Sequence, residues 1–122
     1  MLSETDARQF ADHWIRAWNS HDLDDIMSHY AAEVVLTSPT AAKLLTDSCG
    51  TIKGREAVRN YFEKGLEAFP NLNFELLDVM WGISSVVLYY LNQKGSKTGE
   101  FMELDANQKV TRVVANYSGR SS

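Results

Sequence analysis

The sequence predicts an α+β domain in which three amino-terminal helices and one early strand precede four consecutive strands. Apolar residues recur at helical spacing through much of the first 70 residues. Residues 72–117 instead contain short apolar runs separated by polar or glycine-containing links. Such links suit hairpins, so we expect the last four strands to form an antiparallel meander with the helices packed on one face.

A third observation concerns residues 84–91, which include six consecutive apolar or aromatic residues. A strand with one face in water normally alternates apolar and polar residues, and this run does not. We therefore expect both of its faces to be covered. Alternation divides the run into two sets, Val86, Leu88 and Tyr90 against Val87, Tyr89 and Leu91.

The predicted helices have capping residues and apolar faces. The first begins at Ser3 or Thr5, ends near residues 19–21 and carries Phe10, Trp14 and Trp18 on one face. A second, short helix follows the Asp22 cap. A third spans residues 57–69, where Pro70 closes it.

The predicted strands are residues 33–38, 72–81, 84–91, 98–104 and 110–117. Pro39 ends the first of them because proline has no N–H for the ladder. Residues 40–51 have weak periodicity and are expected to form a loop or lid, in which Asp47 is solvated as loop acids usually are.

Composition limits the classes of function. The 122 residues fit one domain spanning 1–122, with 44% hydrophobic and 23% charged residues, and the net charge of −4 comes without a dense Lys/Arg run. We therefore expect no nucleic-acid partner and no membrane partner. No apolar run is long enough to cross a bilayer and no signal peptide is evident, so the expected location is cytoplasmic.

Metal and cofactor chemistry is not expected. Cys49 is the only cysteine, which excludes an internal disulfide and a Cys-based metal site. His13, His21 and His29 do not have the spacing of a known histidine metal motif. We predict neither a metal nor a cofactor.

Several short motifs follow one another along the chain: residues 18–24 (WNSHDLD), Tyr30-Ala31, Ser38-Pro39, the glycine-bracketed segment 50–57 and residues 109–117. In this order they resemble the nuclear-transport-factor-2-like superfamily, in particular its SnoaL-like branch, over nearly the whole chain. The resemblance implies a cystatin-like cone, with three helices on the concave face of a curved, mostly antiparallel sheet. It also implies one deep, mostly apolar pocket and a homodimer formed through the outer sheet face.

Ketosteroid isomerases of this superfamily use an Asp base facing a Tyr and a protonated Asp. The resemblance places Ser38, Trp14 and Glu100 at these three positions. A serine without a histidine partner cannot take a proton from carbon at neutral pH, and an indole cannot ionise there. Isomerisation of that type is therefore disfavoured, and Glu100 remains the candidate catalytic residue.

Glu100 has two interpretations. If it points inward, desolvation favours its neutral form and makes it an acid or base near neutral pH. The alternative is a hairpin carboxylate facing solvent.

The expected ligand is a small, flat, apolar molecule with one or two polar groups. The predicted ligand-binding residues are Trp14, Trp18, Tyr30, Ser38, Phe62, Val86, Leu88, Tyr90, Met102 and Tyr117.

Three functions stay open at this point. The protein is an enzyme using acid/base chemistry of an isomerase, cyclase or hydrolase type on a carbonyl or polycyclic compound. Alternatively, it is a non-catalytic ligand-binding domain, or a dimeric association domain.

Overall fold

A computed structural model describes residues 1–45 and 49–119, and it confirms the α+β class. Asp47, predicted to be a solvated lid residue, lies outside the described residues. The helices are α1 (Glu4–Ser20), α2 (Leu23–Met27), α3 (Pro39–Leu44) and α4 (Arg55–Ala68). The strands are β1 (Tyr30–Thr37), β2 (Thr51–Lys53), β3 (Glu75–Trp81), β4 (Ser85–Leu91), β5 (Lys97–Leu104) and β6 (Val110–Tyr117).

The six strands form one sheet in the order β2-β1-β6-β5-β4-β3. Strands β3 to β6 form the predicted antiparallel meander. Strand β1 pairs in parallel with β6 and antiparallel with β2, so the sheet is mostly antiparallel as expected.

Two elements that the sequence interpretation did not include, α3 and β2, overlap the two ends of segment 40–51, which was predicted as a loop. The Ser38 hydroxyl accepts a hydrogen bond from the Thr40 backbone N–H at 3.1 Å, and Pro39 occupies the first turn of α3. Proline is favourable there because that position needs no N–H donor. Pro39 therefore begins a helix as well as following a strand, which the sequence interpretation missed.

Helix α1 is positioned by its two ends. The Ser3 hydroxyl accepts from the Asp6 backbone N–H at 3.0 Å, and His21 ends the helix in the left-handed conformation with φ 60°. Between them Phe10, Trp14 and Trp18 are buried in the core. The tryptophan ring centroids lie 6.0 Å apart.

The two faces of β4 differ as alternation predicts. Val86, Leu88 and Tyr90 are 1%, 0% and 3% exposed, and they share one core with buried residues of α1 and α4. The alternate residues, Val87, Tyr89 and Leu91, are only partly buried. In the described part of the chain, no helix is long and apolar enough to span a membrane.

Candidate functional site

A cavity of about 210 Å³ lies between the inner face of the sheet and the helices α1, α3 and α4. Its wall is mainly aromatic and aliphatic, with a few polar groups. The residues lining it include Trp14, Trp18, Tyr30, Leu36, Ser38, Thr40, Tyr61, Phe62, Phe69, Leu72, Phe74, Tyr90, Asn92, Glu100, Ala115 and Tyr117.

Most of the predicted site residues meet at this cavity. Glu100 lines it together with Trp14, Trp18, Tyr30, Ser38, Phe62, Tyr90 and Tyr117. They come from α1, α4, β1, β4, β5, β6 and the residue before α3. The fold thus gathers side chains that are up to 103 positions apart in the sequence.

Val86, Leu88 and Met102 were predicted from the same alternation, but they do not line the cavity. All three are buried in the core, with exposures of at most 1%. Val86 pairs with Met102 on the neighbouring strand. This pair lies four residues along β4 from Tyr90, which does line the cavity. The parity of the strand was correct, but it does not say how far along the strand the cavity extends.

Sequence reasoning missed Thr40, Tyr61, Phe74 and Asn92 as cavity residues. Alternation did contain a signal for Asn92, because it follows positions 86, 88 and 90 at the same spacing. Phe74 lies just before β3, and its alternation with Leu72 in the predicted strand 72–81 was a signal for its inward position. Its backbone is held by the Asn19 side chain, which bonds the Phe74 N–H and carbonyl at 2.7 and 2.9 Å.

Glu100 points inward and is 8% exposed, which excludes the solvent-facing alternative. The Tyr90 hydroxyl donates a hydrogen bond to its Oε1 atom at 2.6 Å. Burial raises the pKa of Glu100 to about 7, and the Tyr90 hydrogen bond, which favours the charged form, opposes this shift. The carboxyl can therefore gain or lose a proton near neutral pH.

Tyr30 forms a second polar centre in the cavity wall. The Trp14 Nε1–H donates to its hydroxyl at 3.0 Å. Burial and the charge of Glu100 raise the pKa of Tyr30, and the indole N–H groups of Trp14 and Trp18 oppose that shift. Arg55 holds the strand beside it, donating to the Tyr30 and Met27 carbonyls at 3.3 and 3.0 Å.

Trp18 contributes a buried donor with no acceptor. Its Nε1–H has no hydrogen-bond partner among the described residues. The N–H affects the pKa of Tyr30, but its geometry falls short of a hydrogen bond. A buried donor left unpaired costs about 1–3 kcal/mol.

Hydroxyl groups surround Ser38 at another part of the wall. The Tyr117 hydroxyl lies 3.3 Å from the Ser38 Oγ and accepts from the Thr40 hydroxyl at 3.1 Å. Burial is the main cause that raises the pKa of both Tyr117 and Tyr61. These hydroxyls stay protonated at neutral pH, so Ser38 has a helix-capping role and lacks an activating base here.

Aromatic rings form the flat parts of the wall. Trp14 stacks on Phe74 with centroids 5.9 Å apart and an angle of 16°. Phe74 in turn contacts Tyr90 at 4.6 Å, and Trp18 meets Phe62 edge-on at 4.8 Å. Such walls favour a planar, apolar ligand.

The histidines take structural positions. His13 and His29 lie edge to face with centroids 5.7 Å apart, and His21 Nε2 lies 2.8 Å from the Leu72 carbonyl. The residues that the structure describes contain no group of three or more His, Cys, Asp or Glu side chains able to hold a metal ion.

Comparisons with known proteins agree on the fold. A family model described as a SnoaL-like domain matches residues 11–114. A SnoaL-like protein of unknown function from Burkholderia thailandensis is 34% identical, with a TM-score of 0.92 and coverage of 96% of this chain and 98% of that chain. No curated protein sequence matches the chain.

More distant structures share the fold alone. A protein of unknown function with a cystatin-like fold from Methylobium petroleophilum is 12% identical, with a TM-score of 0.76, covering 99% of this chain and 81% of that one. A protein with a ketosteroid isomerase-like fold from Catenulispora acidiphila is 14% identical, with a TM-score of 0.70 and coverages of 93% and 88%.

Proposed function

This chain belongs to the SnoaL-like domain family, and from that premise we propose that its cavity binds a small, mainly apolar carbonyl compound on which Glu100 carries out proton transfer. The observation that carries the proposal is the position of the Glu100 carboxyl, buried in the wall of an aromatic cavity beside Tyr90. A buried acid at such a place is a candidate for catalysis.

The cavity supports a ligand of modest size. Its volume of about 210 Å³ is below the roughly 300–1,000 Å³ typical of sites for drug-sized molecules. Planar compounds with one or two rings suit both the volume and the aromatic walls. A single polar group on such a compound could reach Glu100 or Tyr30.

Glu100 suits general acid–base catalysis because its pKa of about 7 matches neutral pH. In its ionised form it would remove a proton from carbon next to the carbonyl group. In its neutral form it would return that proton to another atom of the same ligand. Tyr90 would hold the carboxyl in place during both steps.

Deuterium exchange tests the proposal. The two-ring ketone 2-tetralone has exchangeable protons next to its carbonyl, and NMR follows their replacement in D₂O. We expect the protein to accelerate the exchange and Glu100→Gln to reduce the acceleration by about 10²–10⁴-fold, the usual contribution of a general acid or base. Glu103→Gln is the matched control, because Glu103 lies on the same strand with about half of its side chain exposed.

The outcome also separates catalysis from simple binding. A compound that binds only the folded protein raises its thermal stability. If 2-tetralone raises the melting temperature but Glu100→Gln exchanges as fast as the wild type, the cavity binds without Glu100 catalysis. Absence of both a thermal shift and an acceleration would contradict the proposed function.

We also propose a homodimer through the outer sheet face. Met80, Val87, Phe101 and Val114 form an apolar row across β3, β4, β5 and β6. Met80 is 52% exposed, and the other three are partly exposed. A continuous apolar row of this kind favours burial against a second copy of the chain.

A further inference from the structure

The Tyr30 hydroxyl accepts one hydrogen bond and keeps its own proton to donate. An indole N–H can donate a hydrogen bond but cannot accept one, so Tyr30 is the acceptor in its 3.0 Å contact with Trp14. Its own proton must point elsewhere. None of the residues in the ranges 1–45 and 49–119 accepts that proton, although the tyrosine is 4% exposed.

The Trp18 N–H is a second buried donor in the same cavity. Among the residues that the structure describes, it has no hydrogen-bond partner. The Tyr30 oxygen already accepts from Trp14, so its own proton is directed away from that indole. Trp14, Trp18 and Glu100 all line the cavity, as does Tyr30 itself.

We propose that the Tyr30 hydroxyl donates a hydrogen bond to the acceptor oxygen of the ligand, with Trp14 as the positioning residue that orients it. This inference rests on the proposed function and deepens it. The carbonyl oxygen lies at Tyr30, which leaves Glu100 free to face the adjacent carbon. The ligand class is a neutral planar compound with a carbonyl acceptor, selected over a hydrocarbon of the same shape.

Binding of two isosteric probes tests the proposal. Tyr30→Phe should weaken binding of 2-tetralone about tenfold, the loss of one hydrogen bond, and leave binding of the hydrocarbon tetralin unchanged. Tyr61→Phe is the matched control, since Tyr61 lines the same cavity and lies in the hydroxyl cluster around Ser38. Equal losses for both probes, or no loss for 2-tetralone, would overturn the assignment.

A second measurement needs no variant of Tyr30. In 2-tetralone labelled with ¹³C at the carbonyl, a hydrogen bond moves the carbonyl signal downfield. Glu100 can donate only when it is protonated, whereas the Tyr30 hydroxyl keeps its proton across the range from about pH 5 to about pH 9. We expect the bound signal to stay downfield throughout. A signal that moves upfield as Glu100 ionises would put the oxygen on Glu100 and overturn the inference.

Failure of this inference can be distinguished from failure of the proposed function. If Glu100→Gln abolishes exchange while Tyr30→Phe leaves both affinity and carbonyl signal unchanged, the proposed function stands and the role of Tyr30 is wrong. If neither probe binds the wild-type protein at millimolar concentration, both are wrong.

Discussion

Glu100 and Glu103 lie three residues apart on β5 and face opposite sides of the same sheet. Glu100 is 8% exposed in the cavity wall and bonded to Tyr90, whereas the Glu103 side chain is 49% exposed, with an Arg112 nitrogen at 3.8 Å. Burial removes the Glu100 carboxyl from water and raises its pKa to about 7. The face of the sheet on which a glutamate lies therefore determines whether its carboxyl is buried in the cavity wall or exposed to water.

The same contrast applies to the apolar residues of β4. Leu88 is fully buried in the core under the helices, while its neighbour Val87 lies in the apolar row of the outer face. One face is covered within the chain, and we propose that a second subunit covers the other.

Leu88→Ala should destabilise the protein much more than Val87→Ala. The leucine is 0% exposed, so truncation leaves a cavity and costs about 2–5 kcal/mol of unfolding free energy. Val87 loses two methyl groups from a partly exposed site, for about 1 kcal/mol. Urea denaturation at a protein concentration where sedimentation shows the monomer checks this, and equal losses would contradict the difference in burial between the two faces of the single subunit.

Glu100→Gln should change how stability depends on pH. The folded protein holds the Glu100 proton up to about pH 7, whereas the ordinary value is 4.5. The neutral carboxyl therefore makes its full contribution to the free energy of unfolding below about pH 4.5. This contribution is lost as the pH rises to 7. The wild type should lose about 3 kcal/mol relative to Glu100→Gln over this range.

Chemical denaturation at a series of pH values measures the difference. A Glu103→Gln protein serves as the comparison, since it retains the buried carboxyl and should keep the Glu100-dependent decline. If the free energy of unfolding changed with pH in the same way for the wild type and Glu100→Gln, the account would be contradicted.

Val87→Lys should convert a dimer to a monomer, with a change of about 1 kcal/mol or less in the stability of each subunit. A charge at the centre of the outer apolar row would have to be buried unpaired in the dimer. Sedimentation would then show a 13.8 kDa species. Glu63→Lys, on the exposed side of α4, should leave the dimer intact. A monomeric wild type, or a dimeric Val87→Lys, would exclude this interface.

Much of the fold was predictable because its patterns are local. The helical spacing of Phe10, Trp14 and Trp18 and the alternation in 84–91 arise within single elements, and the structure confirms both. The inward position of Glu100 follows from the same alternation beside Met102 and Leu104.

The contacts between side chains of different helices and strands could not be predicted, because they depend on how these elements pack together. The Trp14–Tyr30 hydrogen bond joins α1 to β1, and the contact between Ser38 and Tyr117 joins residues 79 positions apart. Whether Leu88 or Asn92 reaches the cavity depends on how far the helices extend over the sheet. Alternation gives the face of a residue, but not the depth of the cavity.

A ¹³C NMR titration of the glutamate side-chain carboxyls, with Glu100→Gln identifying the relevant signal, tests the central claim most directly. The account predicts a Glu100 pKa of about 7, because the carboxyl is buried in the cavity wall. In Tyr90→Phe the pKa should rise further, since the 2.6 Å hydrogen bond favours the charged form. A Glu100 signal that titrates near the ordinary value of 4.5 would contradict the claim that this carboxyl is desolvated and poised for proton transfer.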